Sequence, residues 1–209
     1  MAVKTSWAAG DVLLAADLTD TFAAKAPTAS PTFTGTVNFS GATVTGLPAA
    51  GATLVASQSF SSAANVVFNS CFSATYENYL IVISMTTGAS GSSSLRLRVG
   101  GSDATGSNYN QQRATAAGSS WNLSASTTQD KWFGQGLVAG LNYFAINVFR
   151  PFTAATTAAL VTSGRGTDTA IDYDVFALGH TLATSYDGFT FAFGSNSTGN
   201  CRVYGYLNS

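Results

Sequence analysis

Few side chains in this sequence are of the types that carry out acid–base or nucleophilic chemistry. His180 is the sole histidine, in the stretch FALGHTL, and no G-x-S-x-G elbow accompanies it. We therefore expect His180 to occupy a strand position satisfied by a hydrogen bond rather than to act as a general base. Glycosidase chemistry needs two facing carboxylates, and no spacing among the ten acidic residues marks such a pair. The chain is predicted not to be an enzyme.

One local cluster of carboxylates lies at Asp168, Asp172 and Asp174. In a strand, Asp172 and Asp174 would share a face, and with a neighbouring loop they would offer oxygen ligands to Ca²⁺. EF-hand spacing is absent, however. We favour a solvated strand start that pairs with Arg165 or Arg150, and no metal site is predicted.

The two cysteines, Cys71 and Cys201, lie in apolar stretches without CxxC spacing. Two buried free thiols are the favoured interpretation. A disulfide between the first and last strands of the C-terminal domain is the alternative. Two thiolates and a distant histidine fall short of a zinc site, and no cofactor is predicted.

Three aromatic residues stand beside amides in stretches that the pattern assigns to loops, namely Tyr109, Trp121 and Trp132. Aromatic rings next to Asn and Gln side chains are suited to binding sugars, because the ring stacks on the sugar and the amide forms hydrogen bonds with its hydroxyl groups. These three residues are the predicted ligand-binding set. The alternative is that the rings plug the ends of the domain or line an axis between copies.

The elements that must position these residues are short strands. From residue 54 onwards, apolar runs alternate with Gly-Ser-Asn clusters such as 100–107 and 194–200. Phe189, Phe191 and Phe193 share one face of a strand. The predicted strands are 54–60, 65–72, 79–85, 94–99, 132–139, 143–149, 158–162, 172–178, 188–193 and 201–207. Their number and spacing predict an antiparallel β-sandwich of jelly-roll type over residues 54–209.

Arg96 and Arg98 alternate with Leu95 and Leu97. The strand face that holds the two arginines is therefore either exposed to solvent or in contact with another subunit. In the second case, Glu77, Asp172 or Asp174 of another copy would be their partners. An anionic ligand is a third and less favoured interpretation, and all three stay open from the sequence.

Charge is scarce along the whole chain. Charged residues make up 9% of the sequence and the formal net charge is −1, against about 25% charged residues in an average protein. No polybasic surface exists for nucleic acid. No run of roughly 18 apolar residues is present, so no membrane insertion is predicted. Asp11 and Asp17 interrupt the N-terminal apolar residues, and no signal peptide is expected.

Residues 1–26 form a separate segment that ends before Pro27. Leu14, Leu18 and Phe22 follow helical spacing and predict a short helix. A helix this short is marginal alone, so other chains or a docking surface would cover its apolar stripe. Folding back onto the main domain is the alternative.

Residues 27–53 repeat one small pattern: Phe33 to Val37 and Phe39 to Val44 each hold an aromatic residue, small polar residues with Gly, and a valine. A unit that cannot bury its own face needs neighbours. Copies of the chain are the expected neighbours, and Phe33, Val37, Phe39 and Val44 are the predicted contacts. Glycine is not every third residue, which excludes collagen and favours a short shaft of intertwined strands.

The segment APTASPTFTGTVNFSG, at the start of residues 26–47, resembles a motif of tail fibres and other fibrous virion proteins of tailed bacteriophages. The pattern W-x-x-G-D-x-L-x-A-x-x-L near the N-terminus looks like the attachment end of such proteins, and Trp7, Leu14, Leu18 and Phe22 would be its anchors. The order of FSATYENYLIVI, LRLRVG and CRVYGYL is similar to C-terminal domains of phage fibre and minor structural proteins. The resemblance implies a homotrimer with a virion-bound N-terminus and a distal C-terminal head.

Taken together, the expectation is a mainly β virion protein with three parts: an attachment segment (1–26), a short trimeric shaft (27–53) and a head (54–209). A tail fibre that recognises a host surface glycan without catalysis is the first hypothesis. A head fibre or capsid decoration protein that stabilises the shell is the second. Other virion proteins would bind the N-terminus.

Overall fold

The computed structural model describes residues 51–117, 119–167 and 170–207. These ranges cover nearly all of the predicted head. The predicted attachment segment and almost all of the predicted shaft lie outside the described residues. The N-terminal helix, the anchors Trp7, Leu14, Leu18 and Phe22, and the shaft contacts Phe33, Val37, Phe39 and Val44 therefore stay predictions.

Eleven β-strands make up the described region, in agreement with the mainly β class predicted from the sequence. The strands are β1 (Ala52–Phe68), β2 (Tyr76–Thr87), β3 (Gly91–Val99), β4 (Ser102–Asp103), β5 (Tyr109–Ala117), β6 (Ser120–Gln129), β7 (Trp132–Leu137), β8 (Gly140–Phe149), β9 (Thr157–Thr167), β10 (Ala170–His180) and β11 (Gly188–Leu207).

All eleven strands belong to one curled antiparallel sheet. Its order is β4-β3-β11-β2-β8-β9-β10-β5-β6, with β1 paired to β11 and β7 paired to β3. Several neighbours in this order follow one another along the chain, such as β8, β9 and β10, which is typical of hairpin connections. The jelly-roll sandwich and the trimer remain predictions.

The longest strand, β11, spans two regions of the sheet. Its first part, Gly188 to Ala192, pairs with β3, and its last part, Ser197 to Leu207, pairs with β2. Gly194 joins the two parts with φ +68°, a conformation that glycine adopts at little cost. The sequence pattern assigned 194–200 to a loop, and this was wrong, because the strand bends there and continues. β1 follows the bend through register shifts between Phe60 and Asn65.

The core lies on the concave side of the curled sheet and is built from alternate residues of each strand. The predicted shared face of Phe189, Phe191 and Phe193 is confirmed, since all three side chains are fully buried. Phe144 stacks edge-on against Phe191 at 4.9 Å between ring centroids. Each fully buried phenylalanine stabilises the fold by roughly 1.5–3 kcal/mol relative to leaving it exposed.

Side chains, rather than a backbone ladder, connect β7 to strands at the other end of the sheet. Trp132 Nε1 donates to the carbonyl of Gly179 in β10 at 2.9 Å, and the backbone N–H of Phe133 donates to Gln111 Oε1 in β5 at 2.6 Å. β7 is itself hydrogen-bonded to β3. These bonds therefore fix the curl, because they join the β3 side of the sheet to the β10–β5 side.

Three strands were missed in the sequence: the two-residue β4, which lies in the predicted loop 100–107, and the longer β5 and β6. The sequence of β5 is YNQQRATAA and that of β6 is SWNLSASTTQ. Such polar, Ala-rich sequences are typical of loops. Both strands form because β10 offers β5 a nine-residue ladder from Asp172 to His180, and β5 in turn pairs with β6.

Candidate functional site

Two of the three predicted ligand-binding aromatics lie in the core. Tyr109 and Trp132 are fully buried, whereas Trp121 is 63% exposed on β6. The Tyr109 hydroxyl accepts from the N–H of Leu97 at 3.1 Å and donates to the carbonyl of Ala104 at 2.9 Å. Tyr109 and Trp132 therefore anchor the fold and cannot stack on a ligand at the surface. Of the predicted set, only Trp121 is accessible.

His180 lies at the end of β10 in a cluster of aromatic rings, which confirms the predicted strand position. Its Nδ1 lies 3.1 Å from the Tyr186 hydroxyl, and the Tyr109 ring packs edge-on at 4.4 Å between centroids. Burial lowers the pKa of His180 and raises the pKa of Tyr186. A neutral imidazole bonded to a phenol is expected to stabilise this cluster.

The carboxylate of Asp174 is fully buried in the middle of β10. Arg113 donates to Oδ1 from Nε at 2.8 Å and from Nη2 at 2.7 Å, and the Thr115 hydroxyl donates to the same oxygen at 2.5 Å. Gln135 Nε2 and Arg165 Nη1 donate to Oδ2 at 2.8 and 3.3 Å. With these five donor contacts, both oxygens of Asp174 are occupied, which leaves little capacity for a metal or a substrate proton.

The donors to Asp174 are themselves held in place. Ser163 Oγ donates to Gln135 Oε1 at 2.6 Å, and Arg165 Nε donates to Asp172 Oδ2 at 3.0 Å. The predicted pairing of this cluster with Arg165 is thus confirmed. The predicted solvated strand start was wrong for Asp174, because two arginines from neighbouring strands reach it inside the curl. Among the described residues, no group of three or more His, Cys, Asp or Glu is placed to hold a metal ion.

Arg96 and Arg98 have partners within the chain. Arg96 pairs with the carboxylate of Asp130 and donates from Nε to the Asp130 carbonyl at 3.0 Å. Arg98 pairs with Asp103 and donates to Thr190 Oγ1 at 2.9 Å. The Arg96 guanidinium lowers the pKa of Asp130. These ion pairs involve carboxylates other than the three considered from the sequence.

Cys71 and Cys201 are free and buried, as favoured from the sequence. Burial raises the pKa of Cys71 to about 12 and also raises the pKa of Cys201. Neutral thiols of this kind are poor nucleophiles.

The outward side of the sheet across β2, β8, β9, β10, β5 and β6 carries no charged residue; we call this surface the neutral face. It holds eight of the twelve large hydrophobic residues that the described region exposes. These eight are Trp121, Leu123, Leu141, Tyr143, Phe149, Leu160, Ile171 and Tyr173.

The charged residues of three of these strands lie on the inward side, beside buried apolar residues such as Phe176 and Val161. The charged residues of β9, β10 and β5, apart from the neutral His180, are Arg165, Asp172, Asp174 and Arg113, and all four take part in the inward network. On β10, the outward positions next to the two aspartates hold Ile171, Tyr173 and Val175. A sheet that faces water on one side normally alternates the other way. The neutral face therefore has the composition of a covered surface.

One part of the neutral face is concave. A depression of about 480 Å³ lies over β10, β5 and β6. Its walls include Gln112, Leu123 and Val175, and Trp121 lies on the same side of β6, opposite Ala116. An apolar floor with an exposed amide is suited to holding a ring and bonding its substituents.

Comparison of the chain with family models, with curated proteins and with solved structures gives no match. Within the described ranges, no helix is long and apolar enough to cross a bilayer. The described region is thus mainly β and built on one curled antiparallel sheet, with the neutral face on six of its strands.

The sequence held a signal for the neutral face that the strand assignment obscured. In the stretch IDYDVFALGH, the charged Asp172 and Asp174 alternate with Ile171, Tyr173 and Val175. Phe176 and Leu178 lie in the core, and they are separated from the aspartates by even numbers of residues, so all four side chains lie on the same face of the strand. The aspartates therefore lie on the face that points into the core.

Proposed function

We propose that this chain is a structural protein of a bacteriophage particle, a homotrimeric fibre of the receptor-binding type that recognises a host surface glycan without catalysis. The observation that carries this proposal is the neutral face with its eight exposed large hydrophobic residues, because a surface of this kind is suited to contact between assembled copies. The fibre assignment draws on the resemblance of residues 26–47 to phage fibre segments. Trp7, Leu14, Leu18 and Phe22 would attach the N-terminus to other virion proteins.

The depression on β10, β5 and β6 is the proposed glycan site. Trp121 offers an exposed ring, and Gln112 offers an exposed amide beside the apolar floor. Aromatic stacking supplies affinity for a sugar and amide hydrogen bonds supply orientation. A non-catalytic role agrees with the state of the titratable groups nearby, since Asp174 is saturated with donors and His180 is buried against Tyr186.

A binding experiment tests this role. Purified full-length protein labelled with a fluorophore is mixed with bacteria that the phage infects and with a matched strain that lacks surface polysaccharide. We expect saturable binding to the first strain only, and a loss of at least tenfold in affinity for Trp121→Ala. Val99→Ala, a change at an exposed residue outside the neutral face, is the control. Equal binding of both strains would contradict the glycan proposal.

A capsid decoration role is the second candidate, and one observation favours it. Tyr109 and Trp132 are fully buried, so a single exposed aromatic, Trp121, remains from the predicted ligand set. Mass spectrometry of fractionated particles separates the two roles. A protein that stays with tailless heads at hundreds of copies would be a decoration protein, whereas recovery with isolated tails would support a fibre.

A further inference from the structure

The part of the neutral face outside the depression consists of the outward residues of β2, β8 and β9 together with Ile171 and Tyr173 of β10; we call it the flat part. Leu141, Tyr143, Leu160, Ile171 and Tyr173 lie on it, each more than a third exposed. Direct neighbours across the strands include Leu160 with Asn147, and Asn147 with Leu80. The flat part is therefore continuous over four strands.

Glycines on β9 help to make this part flat. A Cβ at Gly164 would overlap the Tyr143 ring, so the ring lies down across the glycine instead of standing away from the sheet. Gly166 pairs with both Leu141 and Ile171 and contributes no side chain of its own. An exposed tyrosine that lies flat on a glycine produces a smooth surface, which suits contact with another extended surface more than with a small molecule.

The size of the flat part is that of a protein interface. Four strands spaced about 4.8 Å apart, each with about ten residues at 3.3 Å, cover roughly 600 Å² in projection. A standard interface buries about 800 Å² on each partner. Single exposed apolar residues need no explanation, but a patch of this extent does.

The absence of charged residues on the flat part restricts the kind of partner that can bind there. The flat part offers no basic group to a nucleic acid or an anionic membrane, and no acidic group to a basic partner. Another copy of this chain meets this condition, because a contact made through the uncharged flat part brings no like charges together. Tyr143, Asn147 and Tyr173 add groups that hydrogen-bond in either direction.

We infer that the flat part of the neutral face is an interface between copies of this chain. The inference rests on the proposed function, which gives the number of copies as three. It adds the surface through which the described regions of these copies meet. The depression with Trp121 and Gln112 stays outside this interface and accessible to a ligand.

Photo-cross-linking of the full chain tests the inference. Tyr173→p-benzoylphenylalanine places a photoreactive ring on the flat part in the position of an existing ring. Leu182→p-benzoylphenylalanine is the control, because Leu182 is 46% exposed against 38% for Tyr173 but follows β10 and lies off the sheet. After irradiation, denaturing gels and mass spectrometry locate the cross-links, and light scattering gives the mass in solution.

The expected result is a protein of three times the 21.4 kDa chain mass, with interchain cross-links at least tenfold more abundant from position 173 than from position 182. A trimer without interchain cross-links from position 173 would overturn the inference and leave the proposed trimer standing. Cross-links from position 173 to residues 1–50 of the same chain would identify that segment as the cover and also overturn it. A monomer would overturn both the inference and the trimer.

Discussion

Gln135 Nε2 donates to Asp174 Oδ2 at 2.8 Å and so joins β7 to β10, two strands that share no backbone ladder. The bond lies inside the curl of the sheet, where Ser163 fixes the other end of the Gln135 amide. The fold thus includes a buried polar network beside its apolar core. On β10 the exposed Ile171 and Tyr173 lie on the outer side, whereas Phe176 and Leu178 lie in the core.

Replacement of Asp174 by alanine is expected to destabilise the protein strongly. It would leave the guanidinium groups of Arg113 and Arg165 without their shared carboxylate in a largely buried site. Removal of one partner of a buried ion pair costs about 3–5 kcal/mol. Urea denaturation followed by circular dichroism measures the change in free energy of unfolding.

Asp172→Ala is the matched control for this prediction. The Asp172 side chain is 28% exposed and pairs with Arg165 at 3.0 Å, and partly exposed pairs contribute about 1 kcal/mol or less. Equal losses for the two variants would contradict a special role for the Asp174 network.

The strands whose core-facing residues are all apolar could be located from the sequence. Phe189, Phe191 and Phe193 alternate with smaller residues, and period-two alternation alone places them inside. The bend at Gly194 was not predictable, because a Gly-Ser-Asn cluster is typical of a loop and only pairing with β1 and β2 keeps it extended. Local sequence does not record such long-range pairing.

The candidate site was predictable only in part. Tyr109 has the same local context of amides as the exposed Trp121, and Trp132 follows the polar stretch Gln129-Asp130-Lys131. Their burial follows from bonds to Leu97 and Gly179, which are distant in sequence. The apolar outer side of β10 escaped prediction because Ile171, Tyr173 and Val175 alternate with the aspartates, and local alternation of this kind marks the apolar side as the core.

Gly194→Ala is expected to destabilise the fold more than Gly100→Ala. Both glycines have positive φ, +68° and +58°, which costs a residue with a Cβ roughly 1–2 kcal/mol. At Gly194 the added Cβ would also collide with the backbone of Ser92, whereas at Gly100 nothing lies within 4 Å. Thermal unfolding of both variants measures the difference. Gly179→Ala, which has neither problem, should match the wild type, and a similar loss at all three positions would contradict this account.

Stability is expected to fall as the pH decreases below about 6.5, the ordinary pKa of histidine. Burial lowers the pKa of His180 in the folded state, so the unfolded chain binds a proton first as the pH decreases. The contribution of His180 is therefore fully present above pH 6.5 and is lost below it. Asp130 acts in a separate window, since its lowered pKa affects stability only below about its ordinary value of 3.8.

Melting temperatures measured from pH 7.5 to pH 5 test the histidine prediction. His180→Gln removes the titrating group and keeps a hydrogen-bonding side chain for Tyr186. The variant should lose less stability over this range than the wild type does. An identical slope in both proteins would assign the pH dependence to other groups.

Native protein is expected to resist thiol reagents. Cys71 and Cys201 are buried, and the raised pKa of Cys71, about 12, leaves almost no thiolate at pH 8. Ellman's reagent should therefore report fewer than one thiol per chain in buffer and two in denaturant. Absence of reactive thiols in denaturant without reductant would indicate a disulfide and contradict the described free state.

Leu160→Glu is expected to weaken association between copies, because it places a carboxylate at the centre of the flat part and would have to be buried unpaired in the proposed interface. Leu182→Glu is a close control, since the two leucines are 42% and 46% exposed and only Leu160 lies on the neutral face. Sedimentation velocity across a dilution series should show dissociation at a concentration at least tenfold higher for Leu160→Glu than for the control. Circular dichroism checks that both variants keep the β fold. If both variants dissociate alike, the outward leucine of β9 makes no specific contact, and the apolar outer surface of the sheet needs a different explanation.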